Sequence, residues 1–243
     1  MVSECKKSAL MSTFDKHEMK PLREPLNIRL RFCKKGDLQY ISHLDLQRVM
    51  SRVLVRSGIP VWYTQGFNPH AKMVFSMPLS VGAQSVCEYL DIRVDKKIST
   101  DEILARLNAE VTEDMKFSAA YVPKTKLSEI AFVRYEIEIC TDVSDKELAN
   151  KVLKLLTERP LMMTKRSKSG DKEVDILDYF KSVEAEQGET LKINAVLRAG
   201  EGSLNPEMIV SALRENLGIL KTDEESYTVM RTNVYFADGR EFE

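Results

Sequence analysis

The succession of strand-like and helix-like apolar patterns constrains this chain more than any single motif. From Asn27 to Cys33, Ile28, Leu30 and Phe32 point one way while Arg29 and Arg31 point the other, the period-two signature of a half-buried strand. Lys34-Lys35-Gly36-Asp37 supplies a turn. Ser42 with Asp45 three residues on then forms a capping box in which Asp replaces the usual Glu. The helix it opens repeats Leu46, Met50, Val53 and Leu54 at helical spacing, and Gly58 is placed to end it. Ile59 to Thr64 and Met73 to Met77 read as strands about a loop, Pro78 and Gly82 break the run, and Val86 to Val94 alternates again. Ser99 and Glu102 cap a helix with an apolar face of Ile103, Leu104, Leu107 and Val111, and Met115 to Tyr121 closes the set as a strand.

The same order recurs after Pro123 to Ser128. Phe132 to Cys140 alternates, and Ser144 and Glu147 cap a helix carrying Leu148, Val152, Leu155 and Leu156. Met162 to Arg166 and Glu173 to Leu177 flank a glycine-containing hairpin turn, and Leu191 to Leu197 reads as a strand. A helix starts at Asn205-Pro206 and stops at Gly218, before a last strand from Tyr227 to Phe236. Two β-α-β-β-α-β halves predict an α+β protein of two tandem ferredoxin-like domains rather than a doubly wound sheet, whose strands would alternate strictly with helices. The expected boundaries are a mobile N-terminal arm at 1–26, a first domain at 27–122, a linker at 123–130 and a second domain at 131–238.

The formal net charge of -1 hides an uneven distribution. Between Asn27 and Ser80, eight Lys and Arg side chains face only Asp37 and Asp45, whereas the chain beyond Ser80 is net acidic. The four cysteines, Cys5, Cys33, Cys87 and Cys140, form no closely spaced pair, which argues against a zinc ribbon or an iron–sulfur site and for reduced thiols in a cytoplasmic protein. No apolar run suits a membrane-spanning helix, and neither a phosphate-binding Walker loop nor a GxGxxG or GxSxG motif is present. No cofactor is expected.

Polar groups suited to function concentrate between Tyr40 and Ser85, which holds His43, His70 and the only tryptophan, Trp62. Arg48, Arg52 and Arg56 recur every fourth residue and form a guanidinium row on the predicted helix, with a solvated charged face as the plain alternative. His43 lies in the first turn of that helix, where free N–H groups and the dipole favour an anion, and Tyr40 lies just before it. In Gln65-Gly66-Phe67-Asn68-Pro69-His70, Gly66 frees the backbone and Pro69 stiffens it, which places Asn68, His70 and Lys72 beside the rings of Phe67 and Tyr63. Aromatic faces among amide and basic donors suit single-stranded RNA. Against this, Phe67 is expected to plug the core, and a cap on a strand is the plain alternative for His70. His43 and His70 with Asp45 or Glu88 would be enough ligands for a metal, but their spacing matches no local metal motif, so no metal is expected.

Ser42-His43-Leu44-Asp45, Arg48, Gln65 to His70, Lys72, Pro78-Leu79, Gly82 and Glu88-Tyr89-Leu90-Asp91 together resemble the radical-SAM-linked protein family, a bacterial family of unknown function encoded beside or fused behind a radical-SAM protein. Glu173 to Ile176 and Arg231-Thr232 continue the likeness more weakly. The resemblance implies a radical-SAM protein as partner; the separation of Cys33, Cys87 and Cys140 implies that this chain is not the radical enzyme. The expectation is an accessory protein that binds tRNA or rRNA, with Lys34, His43, Arg48, Arg52, Arg56 and Lys72 on phosphates and Phe67, Asn68 and His70 on a base. The alternatives are a metal-independent endoribonuclease using His43 with Tyr40, by analogy to CRISPR repeat-processing enzymes of similar architecture, and a module that only docks on the radical-SAM partner.

Overall fold

In the computed structural model of the chain, the described residues are 21–243 apart from 142, 144–146, 159, 166–169 and 201. The first half contains β1 (Pro21–Lys34), α1 (His43–Arg56), β2 (Met73–Phe75), β3 (Ala83–Lys96), α2 (Thr100–Asn108) and β4 (Phe117–Tyr121). Its strands lie in the order β4-β1-β3-β2, every neighbouring pair antiparallel. The second half contains β5 (Phe132–Cys140), α3 (Leu148–Thr157), β6 (Met162–Lys165), β7 (Lys172–Asp175), β8 (Phe180–Gln187), β9 (Leu191–Arg198), α4 (Glu207–Leu217) and β10 (Ser226–Tyr235). Here the order is β10-β5-β9-β8, again antiparallel, while β6 and β7 form a separate hairpin.

The protein is therefore α+β, and both halves repeat the strand order in which a βαβ crossover places its two strands on either side of a third. They do not form separate sheets. Strands β3 and β10 pair in parallel at Ala83 to Ser85, which joins the halves into one eight-stranded sheet. Strand β3 contributes to two cores: Ala83 and Cys87 to that of the second half, and Leu90, Ile92 and Val94 to that beneath α1 and α2. Its register against β1 slips between Ser85 and Glu88, so Ala83 and Ser85 face the same side as Leu90 and Ile92. Since Ala83 pairs with Val229, and Val229 with Ile137 of the second core, the helices of both halves cover the same face of the shared sheet and leave the other open.

Local signals account for most elements. The Ser42 hydroxyl accepts the Asp45 N–H at 3.2 Å and donates to the Asp45 carboxylate at 2.7 Å, and Ser99 caps Glu102 at 3.1 Å. Differences arise where pairing is long-range. Strand β1 begins at Pro21, because its early residues reach Lys96 and Val94 of β3, so residues 21–26 belong to the sheet and not to an arm. The rest of the expected arm and the Ser144 cap lie outside the described residues. Ile59 to Thr64 makes only the bridges Val61 to Val94 and Tyr63 to Ala71. Strand β8 has no counterpart in the sequence reading, which took the β6–β7 hairpin for sheet strands.

Candidate nucleic-acid interface

The Tyr63–Ala71 bridge closes a loop over residues 64–70 that projects past β2, an edge strand. Gly66 adopts φ +137°, a conformation side chains with a Cβ avoid, and turns the chain so that the next residue leaves the surface. Phe67 is fully exposed, which overturns the expectation that it fills the core. The His70 backbone N–H donates to the Thr64 hydroxyl at 3.2 Å, and its Nδ1 lies 3.1 Å from the Asn68 carbonyl, so the loop's polar groups brace its tip. Asn68, His70 and Lys72 are all exposed.

The other expected contacts are placed less favourably. Lys34 is 1% exposed, because it continues the inward series of Ile28, Leu30 and Phe32 along β1, and its Nζ donates to the Gln39 carbonyl at 3.3 Å. It cannot meet a phosphate at the surface. Burial, partly opposed by the charge of Glu88, lowers its amine pKa. On α1, Arg48 is paired with Asp45 at 2.8 Å and Arg56 with Glu110 at 2.6 Å, while Arg52 is exposed with no ion pair among the described residues. The Ser42 hydroxyl and then Arg48 hold the Asp45 carboxyl below its ordinary pKa.

His43 does not converge with His70. Its ring meets Phe75 edge-on, centroids 5.2 Å apart, and its Nε2 lies 3.0 Å from the Gln47 amide nitrogen. Phe75 lies five positions along the chain from His70, about 16 Å at ~3.3 Å per residue of extended backbone. Glu88 is committed elsewhere: it is 2% exposed and accepts from Arg231 at 2.9 Å. Among the described residues, no three His, Cys, Asp or Glu side chains gather to hold a metal. Tyr40 stands two-thirds exposed at the end of the 3-10 turn Gly36–Tyr40.

Phe75 and Met73 pack on the core under α1, whereas Lys72 and Val74 face the other side of β2. There they line a groove of about 540 Å³ with Asn27, Arg93 and the connector segment Pro123 to Ser128. The Arg93 guanidinium lies 5.8 Å from the centre of the Trp62 ring, and its Nε donates to Asn27 at 3.0 Å. The one carboxylate lining this groove, Asp91, is held by Arg29 at 2.8 and 3.0 Å. Arg29 also donates to the hydroxyl and carbonyl of Thr125 at 3.0 and 2.9 Å, and its guanidinium lies 5.0 Å from the Phe242 ring. Burial works against its charge, but the Asp91 carboxylate more than offsets that, so its pKa is raised. Arg93, Lys124 and Lys126 escaped the sequence reading of the interface; Lys124-Thr125-Lys126 was its available signal, a lysine on either side of one anchored residue. A larger concavity of about 1170 Å³ between the connector and residues 236–243 mixes Lys124 and Arg240 with Glu129, Asp238 and Glu241, and so has no dominant charge.

These features define an α+β protein with ferredoxin-like strand order, an exposed aromatic loop and an adjoining cationic groove. The chain belongs to the family described as "uncharacterized protein conserved in bacteria" (DUF2344), whose model matches residues 27–206. No curated protein matches the sequence. Among solved structures, a candidate glycine cleavage system transcriptional repressor is 12% identical, with 85% of this chain and 98% of that one covered and a TM-score of 0.23. A likeness that slight carries no argument about function. No helix among the described residues is long and apolar enough to cross a membrane.

Proposed function

We propose that the chain is an RNA-binding accessory protein that engages single-stranded RNA through the loop at Gly66 to His70 and the cations beside it. The supporting observation is Phe67: a phenyl ring wholly in water gains nothing for the fold, and at the tip of a braced loop it offers a stacking face with Asn68, His70 and Lys72 beside it. Base–aromatic stacking contributes about 1–3 kcal/mol per base and accepts any base, so recognition here is of strand rather than of sequence. The radical-SAM partner follows from the family resemblance alone. It is tested by whether the purified chain retains that protein in nuclease-treated extracts of its native host.

RNA binding is tested by filter-binding titration of the full chain with a labelled oligouridylate across a salt series. Phe67→Ala should weaken binding roughly tenfold to hundredfold while unfolding at an unchanged denaturant concentration. A wild-type chain with no salt-sensitive affinity for RNA removes this reading.

A further inference from the structure

We infer that the groove between β2, β3 and the connector Pro123 to Ser128 is a phosphate site, which holds the backbone of the strand whose bases meet Phe67. The RNA part of this inference rests on the reading above; the anion chemistry rests on the groove itself. Four cations, Lys72, Arg93, Lys124 and Lys126, line it, and none has an ion pair among the described residues. The arginine row on α1 differs in this respect, since two of its three guanidinium groups are already neutralised. Asp91 does not cancel the cations, because both its oxygens accept from the buried Arg29.

The connector supplies half of the charge, and it is fixed in place. Arg29 grips Thr125 by hydroxyl and carbonyl, so the exposed Lys124 and Lys126 project from an anchored backbone on either side of it. An anchored segment loses less entropy on binding than a free one. Several unpaired cations around one concavity match a run of phosphates better than a carboxylate ligand, which one or two would satisfy. Lys72 joins the groove to the loop: it lies two residues beyond His70, so a strand with phosphates in the groove has its next bases at Phe67.

The test pairs two probes on the full chain, wild type against Lys124→Gln/Lys126→Gln, with Lys192→Gln on the second half as control. The first probe is oligouridylate binding. The double variant should lose about tenfold in affinity at low salt, and its salt slope should fall by about 1.4, at ~0.7 for each cation on single-stranded nucleic acid. The second probe is inorganic tripolyphosphate, followed by the fluorescence of Trp62, the only tryptophan, which lies under Arg93. A saturable change in wild type that is lost in the double variant supports the groove. Should the wild type bind tripolyphosphate but no RNA, the anion site stands and the RNA reading falls. If RNA binds equally to all three proteins and tripolyphosphate leaves Trp62 unmoved, the groove is not a phosphate site.

Discussion

Glu88→Gln is the substitution whose cost the structure defines best. Glu88 and Arg231 are each 2% exposed and meet at 2.9 Å where β3 and β10 join the halves. Arg231 spends its other donors on the Pro78 carbonyl at 3.0 Å and the Tyr135 hydroxyl at 3.0 Å. Burial disfavours its charge, but Glu88 and then Tyr135 outweigh that and hold its pKa above the ordinary value. Lys34 is a second buried cation under the influence of the same carboxylate. The cluster therefore holds two positive charges and one negative, and glutamine would remove the negative one while keeping the shape. Stranding a buried charge costs about 3–5 kcal/mol. Lys34 can partly relieve this by releasing its proton, so we expect a loss of about 3–4 kcal/mol, a large part of the ~5–15 kcal/mol that holds a domain folded.

The assay is urea unfolding at neutral pH, read by Trp62 fluorescence for the first half and far-UV circular dichroism for the whole. With a slope of about 2–3 kcal/mol per molar, the midpoint should fall by roughly 1–2 M. Lys34→Met in the same chain should recover about 1–2 kcal/mol, because it removes one of the two stranded cations. A midpoint within about 0.2 M of wild type for Glu88→Gln, or no recovery in the double variant, would refute the claim that this carboxylate compensates both cations.

Two further outcomes follow from the same geometry. The folded pKa of Lys34 lies below the ordinary 10.5, so the unfolded chain binds this proton more tightly; the penalty is full below the folded pKa and fades as pH rises towards 10.5. Lys34→Met should therefore be more stable than wild type at neutral pH by a margin that shrinks on alkaline titration. Taking that difference removes the opposite trend of Cys87, a thiol that burial pushes up to about 11. A margin that grows with pH would contradict this assignment. Arg29→Gln should lower stability by about 2–4 kcal/mol in urea unfolding and also weaken tripolyphosphate binding, although Arg29 never reaches the ligand, because it frees Asp91 in the groove and releases Thr125. Unchanged binding would show that the anchor does not matter.

What could be read from the chain depended on the range of the signal. The Ser42 and Ser99 caps, the apolar stripe of α1 and the alternation of β5 are written within a few residues, and each appears in the structure. Strand β8 was illegible because it is an edge strand with Ser182, Glu184 and Glu186 exposed, and its weak alternation lost to the stronger hairpin signal of β6 and β7. Arg29 resembled a solvent-facing strand residue for the same local reason: nothing near it reveals that Thr125 and Phe242 will cover it. In the sequence Lys34 reads as part of a turn, although it continues the inward series of Ile28, Leu30 and Phe32, and the tie of Glu88 to Arg231 spans 143 residues.

The uneven charge of the sequence acquires a different meaning once the faces of the sheet are known. Glu136 and Glu184 flank Asn194 across β5, β9 and β8, and Glu138 and Glu186 flank Lys192, so four carboxylates share the face of the second half that its helices leave open. The helical layers of both halves lie on one face, so this acidic strip shares the helix-free face with the groove, at the far end of the sheet. A polyanion approaching the helical face meets α1, where Arg48 and Arg56 are already paired and Arg52 is not. On the helix-free face it meets Lys72, Arg93, Lys124 and Lys126 without a competing free carboxylate in the groove. Charges near a surface act over about a Debye length, ~8–10 Å at physiological salt. Strands β5, β9 and β8 lie two to four strand spacings of ~4.8 Å from β3, so the carboxylates act weakly on the groove and repel a strand that strays towards the second half. The most conspicuous basic feature of the sequence, the arginine row, therefore lies on the helical face and is largely paired, while the better site is assembled from scattered lysines that only the fold brings together.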